Sequence, residues 1–209
     1  MSRRLWPTGL ALVAVLVASI ATLGVATHGF AALTSDRARQ LDLQASPRPL
    51  PAIPLVDSQG RVVDLKQRLA DRQYTVVALV YTQCTSLCLL TTSSEAYLQH
   101  KLRAAGLEGN VGLLTISFDP ARDTPDALAQ YTRRVKAHSD QWTVSTVADV
   151  ADLDELLASF GVVVLPEANG EFTHNGALFL VDRHGRLFDA LPPDAADLAL
   201  VRLRTLVSR

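Results

Sequence analysis

Tyr74-Thr75-Val76-Val77-Ala78-Leu79-Val80-Tyr81-Thr82-Gln83-Cys84-Thr85-Ser86-Leu87-Cys88 carries three signals in one stretch. The run from Tyr74 to Tyr81 is near-continuously apolar and rich in β-branched side chains, which predicts a central strand buried on both faces. Two thiols follow it directly. Beyond them the spacing turns helical: Leu89, Leu90, Tyr97, Leu98 and Leu102 form an apolar stripe, and Gly106 is placed to close the helix. Both cysteines therefore sit at a strand-to-helix junction.

The flanks repeat this alternation. Val111 to Phe118 reads as a second buried strand. Thr124 can cap a helix whose first residue is Pro125 and which runs to about His138. A short strand near Trp142–Ser145, a helix from about Val150 to Phe160 and a third apolar strand at Ala177–Val181 follow. Arg183-His184-Gly185 turns the chain into Arg186-Leu187-Phe188, and a last helix spans about Asp194 to Val207. Upstream, Pro54-Leu55-Val56 and Arg61-Val62-Val63-Asp64 flank a Gly60-containing turn and read as a hairpin. Strands alternating with helices make a layered α/β domain, and the hairpins imply a mixed sheet with a parallel centre and antiparallel margins.

The 209 residues suit one compact domain with an appendage, and 48% hydrophobic with 20% charged residues excludes a disordered or low-complexity chain. A formal charge of −1 gives no electrostatic case for nucleic-acid binding. Two cysteines are too few for a disulfide scaffold or a four-cysteine zinc site.

The charges are unevenly placed. Every Asp and Glu lies at or beyond Asp36, and Leu5 to Ser35 contains no charged side chain. Its apolar part, about Leu10 to Val25 with softer flanks to Leu33, predicts a helix across a hydrocarbon core of roughly 30 Å. Arg3 and Arg4 keep the N-terminus in the cytoplasm by the positive-inside rule, and Trp6 sits where an interfacial aromatic would. A cleaved signal peptide, ending near Gly29-Phe30-Ala31-Ala32, is the competing reading, although signal apolar regions are typically shorter. Either way the remainder is exported. Removing Arg3 and Arg4 from the 20 basic residues leaves 18 against 21 acidic ones, a net −3, which argues against adhesion to anionic lipid. Pro47, Pro49, Pro51 and Pro54 predict an extended, semi-rigid stalk. The expected division is an anchor over 1–35, a Pro-rich linker over 36–52 and an α/β domain over 53–209.

A thiol at a helix N-terminus meets unpaired N–H groups and partial positive charge, which favour the thiolate that binds metal or attacks disulfides. Residues four apart on a helix share a face, so Cys84 and Cys88 could bridge or hold one ion. The alternatives are inert buried cysteines or a structural disulfide, although a bridge over so short a loop restricts little chain entropy. His28, His100, His138 and His184 read as solvated residues. His174 differs, because Glu171-Phe172-Thr173-His174-Asn175-Gly176 leads straight into the third apolar strand. Two thiolates and one imidazole suit copper and would also accept zinc, whereas His174 alone could be a surface-loop histidine. Asp119 and Asp123 read as turn and helix-start residues, and Ser93 as a helix-surface residue. No Gly-rich phosphate loop and no Ser/His/Asp nucleophile set appears.

Three segments in this order carry a resemblance: Val80-Tyr81-Thr82-Gln83-Cys84 with Cys88, Ser117-Phe118-Asp119-Pro120-Ala121-Arg122-Asp123-Thr124-Pro125, and Thr173-His174-Asn175-Gly176-Ala177-Leu178-Phe179-Leu180-Val181-Asp182. From about Pro54 to the C-terminus the chain resembles the Sco/SenC family, membrane-anchored thioredoxin-like proteins that serve copper delivery to cytochrome c oxidase. The resemblance implies a thioredoxin-like mixed sheet flanked by helices, with an N-terminal transmembrane helix and the domain on the periplasmic side of an inner membrane. It places copper ligands, for Cu(I) or Cu(II), on Cys84, Cys88 and His174. It implies as partner a copper-accepting oxidase subunit or another copper chaperone, and no nucleic acid. Thr85 and Leu89 stand where family members usually carry prolines, and Thr173 where an aspartate is usual. These departures bear on affinity and on the balance with dithiol chemistry, but remove no ligand.

Two further functions fit the thiols. In a thiol–disulfide oxidoreductase, Cys84 would attack a partner disulfide and Cys88 would resolve it, the pair cycling through a disulfide. A peroxide-reducing thiol protein is the third. His174 separates them from a copper carrier, since a dithiol reductase needs no imidazole there.

Overall fold

The computed structural model describes residues 5–26, 34–84 and 87–208. Helix α1 (Leu5–Ala26) comes first, followed by α2 (Ser35–Ala45) and the short strand β1 (Arg48–Pro49). Strands β2 (Pro54–Asp57) and β3 (Val62–Asp64) form the expected hairpin, and α3 (Leu65–Ala70) leads to β4 (Tyr74–Val80). Then come α4 (Leu87–Ala104), β5 (Val111–Ser117), α5 (Pro125–Arg134) and β6 (Trp142–Val147). A 3₁₀ turn, Val150–Asp152, opens α6 (Leu153–Phe160). A second hairpin, β7 (Val164–Pro166) and β8 (Phe172–His174), precedes β9 (Leu178–Asp182), β10 (Arg186–Leu191) and α7 (Ala196–Val207).

The main sheet has eight strands in the order β1-β10-β9-β4-β5-β6-β2-β3. Strands β4, β5 and β6 run parallel, and β9, β10 and β1 on one side and β2 and β3 on the other are antiparallel. This is the mixed sheet expected from the hairpins. Side chains alternate across it, because successive residues of a strand face opposite ways. Val76, Leu178 and Leu180 pack with Leu98 and Leu102 of α4 and Leu200 and Leu203 of α7. Val77, Phe179 and Val181 pack on the other face with Leu43 of α2, Leu65 and Leu69 of α3, and Leu156 and Phe160 of α6. Thr124 caps α5 through Ala127 N–H, with Pro125 as first residue, as its sequence requires. The helix stops at Arg134 rather than near His138, and Lys136 follows at a left-handed φ of 56°.

The region expected as a stalk is folded instead. Thr34 Oγ1 accepts the Arg37 N–H and caps α2. Leu43 and Leu50 are buried, and β1 pairs with β10 at Arg48↔Leu187 and Pro49↔Arg186. Gln40 and Gln44 each donate to Asp189 Oδ1 at 3.1 Å, and Asp189 is fully buried beside Arg202. This segment docks through amides on a buried carboxylate, a contact that hydropathy does not register. Pro49 is accommodated because β1 is an edge strand.

Among the described residues no helix is long and apolar enough to cross a membrane. Helix α1 itself spans 22 residues. Its large apolar side chains from Leu10 to Val25 are each more than half exposed. His28 and the expected cleavage region lie outside the described residues.

Candidate metal centre

The three predicted ligands come from two places in the fold. Cys84 ends the turn after β4, with its N–H donating to Tyr81 O at 3.3 Å. Cys88 is the second residue of α4; the structure describes its backbone and not its side chain. His174 is not on a loop, as its sequence context suggests. It is the last residue of β8, paired with Val164 of β7, and it is buried. The Phe172-Thr173-His174 segment is too short for period-two alternation to show in the sequence.

Tyr81 connects the two halves. Its ring lies 5.2 Å edge-on from Phe172 and 6.5 Å from the His174 imidazole. Phe118, at the end of β5, lies 5.5 Å from Tyr81 and 4.9 Å from His174. Phe172 and His174 are two apart on a strand, so both project from one face of the hairpin onto this pair of rings. The Tyr81 phenol is pushed above its usual value by burial, against a hydrogen bond with the Phe172 backbone, and the neighbouring Cys84 thiol raises it further by charge and hydrogen bond. One phenol thus touches both the cysteine turn and the histidine hairpin.

Burial lowers the His174 pKa, opposed by the Asn175 carbonyl, so the ring favours its neutral form. Nδ1 lies 3.3 Å from Asn175 O. A carbonyl can only accept, so this contact assigns the proton to Nδ1 and puts the lone pair on Nε2. A neutral imidazole with a fixed tautomer is what a metal needs. Among the described residues no three His, Cys, Asp or Glu side chains converge on one cation site.

The cysteine turn is tied down from behind. Asp123 is fully buried and accepts from Thr82 N at 2.9 Å, from the Thr82 hydroxyl at 2.5 Å and from the Ser117 hydroxyl. Arg134 Nη2 donates to Thr82 O at 2.6 Å. Asp119 turns the chain at the end of β5, and its carbonyl accepts the Arg122 and Asp123 N–H groups. The reading of Asp119 and Asp123 as turn and helix-start residues therefore holds, but it missed that Asp123 also grips the residue between Tyr81 and Gln83. That contact crosses between strands and leaves no local sequence signal. Ser93 is exposed at the rim of a cleft of about 250 Å³ lined also by Tyr81, Cys84 and Tyr131. His100 is exposed, as is His184 in its turn, while His138 N–H donates to Gln99 Oε1.

The chain is similar to known proteins in sequence and in fold. The SCO1/SenC family model matches residues 51–206, so the chain belongs to the SCO1/SenC family. It is 27% identical over 110 residues to the SCO1 protein homolog of Bacillus subtilis (strain 168), covering 52% of this chain and 56% of that protein. The crystal structure of a SCO1/SenC family lipoprotein from Bacillus anthracis str. Ames shares the fold at a TM-score of 0.69 and 19% identity, over 78% of this chain and 98% of the other. Bradyrhizobium japonicum ScoI, solved with copper bound, gives a TM-score of 0.57 at 25% identity, over 74% and 99% of the two chains. The fold is thus the thioredoxin-like mixed α/β fold of Sco proteins.

Proposed function

We propose that this chain binds copper through the thiolates of Cys84 and Cys88 and the Nε2 of His174, and delivers it by ligand exchange for assembly of a copper-containing respiratory oxidase. The observation that carries this is the placement of Cys84 and a neutral, buried His174 against the same tyrosine, Tyr81. Soft thiolates suit Cu(I), and an added imidazole suits Cu(II). The acceptor is an oxidase subunit or another copper chaperone, in line with the family resemblance. Copper bound in the Bradyrhizobium japonicum relative supports the metal, and the lipoprotein nature of the Bacillus anthracis relative supports work at a membrane. The exposed apolar surface of α1, with its flanking residues, supports an anchor that keeps the domain on the exported side of an inner membrane.

An anaerobic titration of the reduced full chain tests the reading, with charge-transfer absorbance following Cu(II) and a chelator competing for Cu(I). One equivalent bound tightly, with Cu(II) binding weakened by His174→Ala, is expected. Absence of competitive copper binding by the wild-type chain would sink the proposal and leave the Cys84/Cys88 dithiol as the active group of a thiol–disulfide oxidoreductase.

A further inference from the structure

Hairpin β7–β8 forms a two-stranded sheet of its own, separate from the eight-stranded sheet. A two-stranded hairpin has little stability alone, so its position depends on what holds it. Arg122, in the turn between β5 and α5, reaches across to it. Its Nη1 donates to Gly170 O, in the hairpin's connection, at 2.8 Å, and its Nε donates to Asp119 at the end of β5. The guanidinium carbon lies 5.0 Å from the Phe172 ring centroid and 5.8 Å from that of Tyr81. The cation therefore covers the contact between the hairpin and the tyrosine of the cysteine turn, where cation–π attraction acts on both rings.

A further detail sets this arginine apart. Among the described residues, its buried Nη2 finds no hydrogen-bond partner. A buried guanidinium N–H without an acceptor costs free energy, so the side chain is not placed for its own satisfaction. It is held in this position by Asp119, Gly170 and the two rings.

We propose that Arg122 is a positioning residue that latches the β7–β8 hairpin, and with it His174, onto the cysteine turn, and so sets the Cu(II)-binding form of the site. This rests on the copper reading above. The latch acts on His174 through Phe172, which shares its strand face and packs on Tyr81 and Phe118. Cu(I) held by two thiolates does not require the hairpin to be closed, whereas Cu(II) draws on the imidazole. Loss of the latch therefore separates the two oxidation states.

The test compares the full chain with Arg122→Met, which removes the charge and the donors but keeps an unbranched apolar side chain, and Arg122→Lys, which keeps the charge but not the fork. Amide hydrogen exchange on the copper-free proteins reads the hairpin directly. In Arg122→Met, exchange across residues 163–175 should speed up while that of β4 and β5 stays unchanged. Cu(II) affinity should fall about tenfold or more, as for other groups that orient a ligand, with Cu(I) affinity retained; Arg122→Lys should recover part of both effects. Unchanged exchange and unchanged Cu(II) affinity in Arg122→Met would overturn the proposal, as would equal losses for Cu(I) and Cu(II). If Arg122→Met does not fold, Arg122→Lys carries the same comparison with smaller effects. Should the wild-type chain bind no copper, the copper reading fails on its own, and the exchange data still decide whether Arg122 holds the hairpin.

Discussion

Glu95 faces the interior of the molecule from α4, and its exposure is zero. Thr115 Oγ1 donates to Glu95 Oε1 at 2.8 Å and itself accepts from Trp142 Nε1 at 2.8 Å, while buried Oε2 has no hydrogen-bond partner among the described residues. Burial pushes this carboxyl up from 4.5 to about 8, with the Thr115 hydrogen bond opposing. The folded protein thus keeps a proton that the unfolded chain loses as pH passes its ordinary value. The group's contribution is fully present below about pH 4.5 and is lost as pH rises through about 8. Denaturant unfolding between those values should show stability falling by a few kcal/mol with rising pH, and Glu95→Gln should flatten that slope. A slope unchanged by the substitution would place the titration elsewhere. Asp123 is buried as well, and its side-chain oxygens accept hydrogen bonds from Thr82 and Ser117. Asp123→Ala strands those donors and should cost about 3 kcal/mol of unfolding free energy, with the added effect of loosening the turn that carries Cys84.

At the scale of elements, α2 and β1 decide where the folded body begins. Leu43 is buried among core residues of the sheet face that also holds Leu50 and Phe160. Leu43→Ala should therefore destabilise the whole domain by about 3 kcal/mol in a single cooperative transition. A tether would give no measurable change. This element was illegible in the sequence because its apolar content is low and its anchoring partners, Gln40 and Gln44, bond a carboxylate nearly 150 residues away. The central strands were legible for the opposite reason. Tyr74–Val80 and Val111–Ser117 are apolar on both faces, a pattern that only a covered sheet satisfies. Thr124-Pro125 announced α5 through local chemistry, since cap and first residue are neighbours. Hairpin β7–β8 was missed because its strands are three residues each and it packs on rings, Tyr81 and Phe118, that lie just past the ends of β4 and β5. The proposed ligands Cys84, Cys88 and His174 come from residue types and the family resemblance, while the contacts of Tyr81, Phe118, Arg122 and Asp123 join segments far apart in the sequence and leave no local signal in it.

For the molecule as a whole, the candidate site lies past the C-terminal ends of parallel strands β4 and β5, where α/β sheets commonly place their chemistry. Thr34, the cap of α2, lines a cavity of about 220 Å³ together with Gly176 and Pro192, so the start of α2 lies at the end of the fold where His174 leads into β9. If α1 with its flanks anchors the chain, the full-length protein should remain with the bilayer after alkaline carbonate washing; release of a chain shortened to about residue 30 would instead support a cleaved signal. The central claim is that Cys84, Cys88 and His174 form one copper site. X-ray absorption at the copper edge of the full chain loaded with one equivalent of Cu(II) tests it most directly. The account predicts two sulfur scatterers and one imidazole, with the imidazole signal lost in His174→Ala. A first shell of oxygen and nitrogen without sulfur, or a shell unchanged by that substitution, would contradict it.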